Sequence, residues 1–535
     1  MRLQVRTRRA AWLGLLAAGC HSVSTPEPEA VTRAFAPRAH ATAWRPAGSQ
    51  IAPVQATEIT TAKGATSAVP AGPQIAPVQA TAPVQATAPV QATAPAAAPA
   101  AEPGNAIDLG VALRLAGVEN PAINLAREQV REALAGQLAA RSMILPNLNA
   151  GANVRLHRGT YQASGGFLRT ADIQSLYVGA GARAVGGGPP VTPGVWLFVH
   201  LGDAVYERLA AAQRVTVRGG DAAATQNAVL FDVAATYLDL AGAEARLAVL
   251  KRGGEEVGEV VRLTAEHARA GTGRKADADR ATATAELVRR DTHRAEEDVA
   301  VASARLCRLL NLDPALGLRT AGGEVHPVQL VPGDDLEPLV ASALAARPEM
   351  TARSAAVQEA MTRVRQERVR PWLPTVSVGF SSGAFGGGGG QAPSDFSDLT
   401  GRTDFNATAV WTAQNLGFGN RARVRGADAV VGSAVAAYDV VVNQVRREVA
   451  EALADTQAAA RQIGAARAAL AAAEEGFRLE ADRTRQGQGL PIETLDSFRQ
   501  LLDARQEMIR AVVAYNVAQF RLYAAVGAWA APVAH

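Results

Sequence analysis

Cysteine is almost absent from this chain: 535 residues contain two, Cys20 and Cys307. A disulfide framework is therefore not expected. Aromatic residues make up 5% and methionine occupies five positions, which argues against a compact mixed core. Charge of one sign is also lacking. The formal net charge is +4 and both signs are interspersed, so the chain carries no nucleic-acid footprint. No stretch beyond the N-terminal segment holds the roughly 18 consecutive apolar residues of a membrane helix. If the mature chain enters a membrane, it does so through a lipid or a closed β-barrel. Nucleophile elbow, P-loop, dinucleotide fingerprint and zinc motif are all missing, and the eight histidines show no metal-binding spacing. These absences point to a non-enzyme with no cofactor and no metal site.

What is present begins with a targeting segment. "MRLQVRTRR" is a basic n-region and "AAWLGLLAAG" a short apolar run ending in small residues. It closes on "LLAAGC", which resembles a bacterial lipobox with Cys20 as the lipid acceptor. The alternative is an ordinary secretory signal that contains a cysteine. Residues 1–19 are read as the signal and 20–104 as a linker. That linker is rich in proline, alanine and threonine, with "APVQAT" at Ala52 and three times in tandem from Ala76. It holds too few large apolar side chains to offset ordering entropy, and reads as a disordered or extended tether.

From residue 105 the pattern changes and then repeats. The first repeat, 105–330, starts with a helical segment broken at Asn120-Pro121. It switches at Leu145-Pro146 into a candidate strand, "NLNAGANVRLHR". Residues 159–190 are glycine-rich and poorly patterned, and "TPGVWLFVHLGD" (192–203) reads as the second strand. A very long helix over about 203–270 turns at "AGTGRK" and returns over about 276–312. The second repeat, 331–535, has the same order: a helix with Arg347-Pro348 at the matching place, a switch at Leu373-Pro374, and two alternating strands. In these, Val376, Val378 and Phe380 share one face, as do Phe405, Ala407, Ala409 and Trp411. A helix over about 420–486 turns at "QGQGLP" and returns over about 492–528. Pro146 and Pro374 are helix-to-strand switches, because proline cannot continue a helix and pushes the preceding residue towards extended geometry.

Helices of this length reach roughly 100 Å at 1.5 Å per residue. In the second, Val442, Val449, Thr456, Ile463, Leu470 and Phe477 recur every seventh residue, with Val445, Ala452, Ala459, Ala466 and Ala473 three places on. This is a heptad seam in which alanine allows close approach. One shorter returning helix cannot cover it, so other helices or subunits must. Strand segments of about 10–12 residues suit a tilted crossing of a hydrocarbon core. Four strands cannot close a barrel, but several copies of the chain can.

The duplicated order, the two Leu-Pro switches, Asn120-Pro121, and "NLGFGNRARVRGADA" (415–429) resemble the TolC-type outer-membrane factor (outer membrane efflux protein) family, in its lipoprotein form. The resemblance covers about 105–529. It implies a mainly α fold with a β-barrel: a homotrimer whose twelve-stranded outer-membrane barrel continues as an α-helical periplasmic tunnel, lipid-anchored through Cys20. It implies a passive exit duct of a tripartite efflux pump or type I secretion system. The partners would be a periplasmic adaptor (membrane fusion protein) and an inner-membrane transporter. The first strand-to-helix junction, "VHLGDAVYERLAAA", departs from its counterpart by lacking the arginine cluster.

By the same resemblance, Asp277, Glu493 and Asp496 are candidates for the periplasmic aperture, and equally carboxylates suited to a helix N-terminus. Arg483 and Arg485 are aperture or adaptor candidates, or a solvated charged face. Gly271, Gly273, Gly487 and Gly489 mark the adaptor-docking tips. The alternative function is a lipid-anchored periplasmic adaptor or scaffold. An adaptor has a single hairpin flanked by two halves of a lipoyl-like domain, whereas two hairpins occur here. If Cys20 is the acceptor, the chain should incorporate labelled fatty acid in cells and Cys20→Ser should abolish it; an unlabelled parent chain would assign the segment to an ordinary signal.

Overall fold

A computed structural model of the chain describes residues 105–184, 190–271, 273–322, 325–389, 399–486 and 488–529. Cys20, the linker and Gly487 lie outside the described residues. In chain order the elements are β1 (Ala106–Ile107), α1 (Leu109–Glu119), α2 (Pro121–Ser142), β2 (Asn147–Leu148), β3 (Ala150–Gln162), β4 (Leu168–Ala182), β5 (Thr192–Pro193), β6 (Val195–His200), α3 (Leu201–Arg269) and α4 (Lys275–Leu310). After β7 (Arg319–Thr320) come α5 (Leu336–Ala346), α6 (Pro348–Val369), β8 (Thr375–Gly389), β9 (Thr400–Val410), α7 (Phe418–Arg485) and α8 (Pro491–Ala525).

The duplication is metrically close. α1 and α5 each have 11 residues, and α2 and α6 each have 22. The long helices have 69 and 68 residues, and the returning ones 36 and 35. Proline opens α2 and α6 at the first helical position, where its missing N–H costs nothing. The preceding residue differs. Asn120 caps α2 by accepting from the Ala122 and Ile123 amides at 2.9 and 3.4 Å, and its Nδ2 donates to Leu309 O at 2.8 Å. Arg347 makes no such cap; its guanidinium pairs with Glu349 and Glu448 instead.

Both Leu-Pro pairs make the expected turn. α2 ends at Ser142 and β2 opens directly after Pro146. α6 ends at Val369, a short 3-10 turn follows, and Leu373 is extended (φ −102°, ψ 136°) ahead of Pro374 and β8.

β1 and β7 form a short parallel pair, and the other strands form one antiparallel sheet. β3 pairs with β4, β8 pairs with β9, and β8 joins the hairpins. β4 and β6 lie end to end along β8: Ile173 to Ala180 pair with Gly389 to Ser382, and Val195 to His200 with Phe380 to Thr375. The sheet thus has four lines of strand. This corrects the sequence reading of the first repeat. The principal second strand is Leu168–Ala182, within the segment read as unpatterned, and the 192–203 candidate reduces to the short β6. β4 escapes a periodicity reading because it packs on glycines of β8. A Cβ at Gly383 would meet Val178 O at 2.5 Å, so close approach replaces the usual large side chains.

α3 is the central helix, packed by α2, α4, α6 and α8. Of the seam residues on α7, Val445, Val449, Ala452, Thr456, Ala459, Ile463 and Ala466 are buried, while Val442, Leu470, Ala473 and Phe477 are half-buried. They are covered by α5, α6 and α8. Towards its N-terminus α7 leaves Phe418, Val430 and Val440 exposed. At the α3–α6 contact, Gly220 is buried, and a Cβ there would lie 2.8 Å from Ala352 Cβ and from Pro348 O. Its neighbour Gly219 faces open space. Gly220→Ala should therefore cost about 1–3 kcal/mol by overpacking. Gly219→Ala should gain up to about 1 kcal/mol. Thermal unfolding of the two variants checks this, and equal shifts would refute the close contact.

Candidate functional site: hairpin tips, neck and sheet faces

The tips are two helical turns. Gly271 adopts φ +75° after α3. Gly273 N donates to His267 O at 2.9 Å. At the second tip, the Gln488 and Gly489 amides both donate to Arg483 O, at 3.0 and 3.1 Å. A Cβ at Gly489 would meet Thr484 Oγ1 at 2.8 Å, so only glycine fits.

The charged candidates sit at these tips but engage their own helices. Asp277 lies in the first turn of α4 and pairs with Arg280 at 3.3 Å. Glu493 lies in the first turn of α8, and Asp496 accepts from Gln500 at 2.8 Å. Arg483 pairs with Glu480 at 3.0 Å and Arg485 with Asp482 at 2.9 Å. Arg485 also lines a cavity of about 180 Å³ between α3, α7 and α8, with Glu256, Glu259, Thr264, Phe477 and Thr494. Glu259 is held below the usual carboxylate range, first by its hydrogen bond from Arg262 and more weakly by Arg485.

Sequence reasoning missed the threonines of this region. Thr264, Thr284, Thr484 and Thr494 are all buried. The Thr484 and Thr494 hydroxyls meet at 2.6 Å across α7 and α8. Arg499 donates to the Thr284 hydroxyl at 2.8 Å, and Arg505 reaches Glu256 at 2.7 Å, tying α8 to both helices of the first hairpin. Helix period alone cannot mark such contacts, which depend on the partner helix.

At the opposite end, where helices meet strands, a charged neck joins α3 to α6. Arg370 pairs with Asp203 at 2.6 Å and Glu367 at 3.0 Å. Gln366 donates to Asp203 at 2.7 Å, and Arg363 and Arg214 both reach Glu207. Arg214 also pairs with Glu359 at 2.8 Å. His200 caps α3 through Nδ1, accepting from the Gly202 amide at 3.1 Å. The second repeat makes the same transition differently. Asn415 and Leu416 adopt positive φ, Gly417 follows at φ +89°, and Asn420 Oδ1 accepts from the Gln414 amide at 2.8 Å. Glycines followed by arginines thus mark this junction as expected.

The sheet has two unlike faces. Register places Val154 with Leu176, Val178 with Ala384, and Phe380 with Phe405 and Val195 on one face. The expected Val376–Val378–Phe380 and Phe405–Ala407–Ala409 faces coincide there. This face is mainly apolar and bare, with Phe405 71% and Leu156 68% exposed, and turns polar towards the β3–β4 turn at Gln174, Arg158 and Asp172. The other face carries Asn153, Arg155, His157, Ser175, Tyr177, Ser377, Ser381, Arg402 and Asp404, with the exposed aromatics Trp196 and Phe198 of β6 at its helix end. Among the described residues, no strand pairs with the outer edge of β9 or with the outer edge of β3. No described helix is long and apolar enough to cross a membrane.

Comparison with solved structures finds this arrangement repeatedly. A membrane protein from Pseudomonas aeruginosa superposes with a TM-score of 0.66 at 22% identity, covering 81% of this chain and 99% of that one. The outer membrane channel CmeC of Campylobacter jejuni gives 0.65 at 16%, covering 78% and 85%. The outer-membrane channel OprN gives 0.64 at 20%, covering 78% and 89%. The chain has the fold of the outer-membrane channels. Residues 339–528 also match the family model described as outer membrane efflux protein. No curated protein matches the chain by sequence. The family match falls on the second repeat, which carries the glycine–arginine junction; the first repeat shares the channel fold.

The neck generates a pH prediction. The hydrogen bond from Arg363 holds the Glu207 carboxyl below the usual glutamate range, outweighing the opposing effect of burial. A carboxyl depressed by folding stabilises the fold above its unfolded pKa, and that contribution is lost as pH falls through the folded value. The melting temperature should therefore drop as pH is taken below about 4.5. Glu207→Gln should lower it at neutral pH and flatten that drop. An unchanged acid slope in the variant would remove Glu207 from the account.

Proposed function

We propose that this protein is the outer-membrane channel of an efflux or type I secretion assembly, a passive exit duct rather than an enzyme. One observation carries the reading: a four-line sheet with one bare apolar face, one polar face and two open edges. In hydrocarbon every backbone N–H and C=O needs a partner, so an open sheet is not viable there. Three copies joined edge to edge close a twelve-stranded barrel, with the apolar face towards lipid and the polar face towards the lumen. The paired long helices continue from that barrel as a tunnel, and the fold shared with solved outer-membrane channels supports the same arrangement. The alternative reading, a lipid-anchored adaptor, leaves the two strand hairpins and their bare face without a role.

In this reading Cys20 bears the lipid that holds the N-terminus at the membrane. The turns at Gly271, Gly273, Gly487 and Gly489 meet a periplasmic adaptor, which couples the duct to an inner-membrane transporter. Asp277, Glu493 and Asp496 ring the aperture and favour cations there. Asp277 and Asp496 are braced there by Arg280 and Gln500 of their own helices, while Arg483 and Arg485 act mainly by fixing the second tip.

Electron-microscope imaging of the detergent-purified chain tests the proposal. A threefold tube well over 100 Å long, by the helix rise, with a detergent belt at one end is expected. A monomer, or an assembly with no belt, would overturn it and favour the scaffold reading.

A further inference from the structure

The end of β4 with residues 183–184, and residues 190–194 with β5, form two arms that lie over the polar face. Gly181 and Ala182 pair with Pro193 and Thr192. The Arg183 amide donates to Asn153 Oδ1 at 2.7 Å, and Asn153 Nδ2 donates to Ala184 O at 3.5 Å. The Gly194 amide donates to Ser381 Oγ at 3.2 Å, and Asn149 Nδ2 donates to Pro193 O at 2.8 Å. Glycines on that face make the room. A Cβ at Gly151 would meet Ala182 Cβ at 3.0 Å, and one at Gly379 would meet Pro193 Cγ at 3.0 Å. Tyr177 on the same face and Ala184 in the first arm are both fully buried.

Arg183 is the unusual residue here. It holds φ +61°, a left-handed conformation that glycine adopts freely and arginine adopts at a cost. Its amide is held by Asn153 while the residue itself is exposed. Such an outlier, fixed by its surroundings, is the kind of feature found at functional positions. The charge of the polar face agrees. Arg155, Arg169 and Arg183 make no ion pair among the described residues, whereas the carboxylate of Asp404 is paired with Arg402 at 2.8 Å. Among the described residues the face is therefore net positive.

We propose that these arms narrow the barrel lumen and that Arg183 makes the narrowing selective for anionic solutes. The proposal rests on the channel reading above, which turns the polar face inward. Three copies would then set three Arg183 side chains around one axis, inside low-dielectric walls that focus their field. Selection at the membrane end would be opposite in sign to that of the acidic tips.

Thiol labelling of the full chain in outer-membrane vesicles tests this without requiring an open periplasmic aperture. Val191, whose amide donates to Arg183 O at 3.3 Å, is exposed and suits a reporter cysteine. Val154 on the apolar face is the lipid-side control, and the parent chain, with Cys307 buried, gives the background. The probes are a sulfonate-bearing and a trimethylammonium-bearing methanethiosulfonate, with rates normalised to a free thiol. Val191→Cys should react with both, and at least about threefold faster with the anionic reagent. Adding Arg183→Gly, which suits the positive φ, should abolish that preference. Val154→Cys should react with neither. A preference that is absent, or unchanged by Arg183→Gly, overturns the selectivity proposal while leaving the channel intact. A thiol at Val154 as reactive as one at Val191 overturns the channel reading itself, and the proposal with it.

Discussion

The constraint on which the rest of the structure turns is the pairing of backbone hydrogen bonds at the sheet's two edges. β8 and the β4–β6 line are paired on both sides within one chain, but β3 and β9 are each paired on one side only. In water such edges are a hazard that proteins blunt with charge or proline. Here β9 presents "TGRTDFNATAV", without proline and with its charges confined to Arg402 and Asp404. An edge left this open, beside a bare apolar face, fits a strand whose partner is another copy of the same chain. Closure would satisfy the edge and place the apolar face in lipid at once, so neither feature has to be explained separately.

Such closure would impose geometry on the helices. The long helices would have to start from the same ring of strands and end at the same plane of tips. Matched lengths of 69 and 68 residues, with returns of 36 and 35, are what such a requirement demands. Elements free of it have diverged. The caps at Asn120 and Arg347 use unrelated chemistry for the same turn, and the strand-to-helix junctions use His200 in one repeat and three consecutive positive-φ residues in the other. Position is preserved where packing across the whole molecule fixes it, and the chemistry varies where only a local backbone group must be satisfied.

The same distinction explains what was legible in the sequence. The repeat, the long helices and the proline switches could be read because local rules decide them: heptad spacing along α7, and the conformational restriction at Leu373-Pro374. The apolar faces of β8 and β9 could be read from alternation. β4 could not, because its pairing on β8 relies on glycine close approach, and glycine is silent in a pattern of apolar and polar residues. The candidate charges were found near the tips, but their partners Arg280, Glu480, Asp482 and Gln500 show them braced along their own helices. The neck escaped notice altogether. Asp203 and Glu207 lie more than 150 residues from Arg363 and Arg370, and nothing local in either segment announces the other.

The neck's position gives that long-range pairing a mechanical meaning. α3 leaves the sheet through His200, and α6 enters it through Pro374, one residue ahead of the Thr375 that pairs with His200. The two helices therefore meet the sheet at adjacent points, on strands paired directly to each other. Rotation of α3 against α6 would shear β6 along β8. The Asp203–Arg370 and Glu207–Arg363 pairs cross that gap, and Gly220 allows the helix backbones to approach closely further along. The strand end is thus fixed to α3 and α6 by charged hydrogen bonds and tight packing. The tips are joined by the apolar packing of Val257, Val260, Leu495, Phe498 and Leu502, to which Arg505–Glu256 and the threonine contacts add polar ties. If the chain forms the proposed tunnel, a change of its width that leaves the strands still would have to break those ties at the tips.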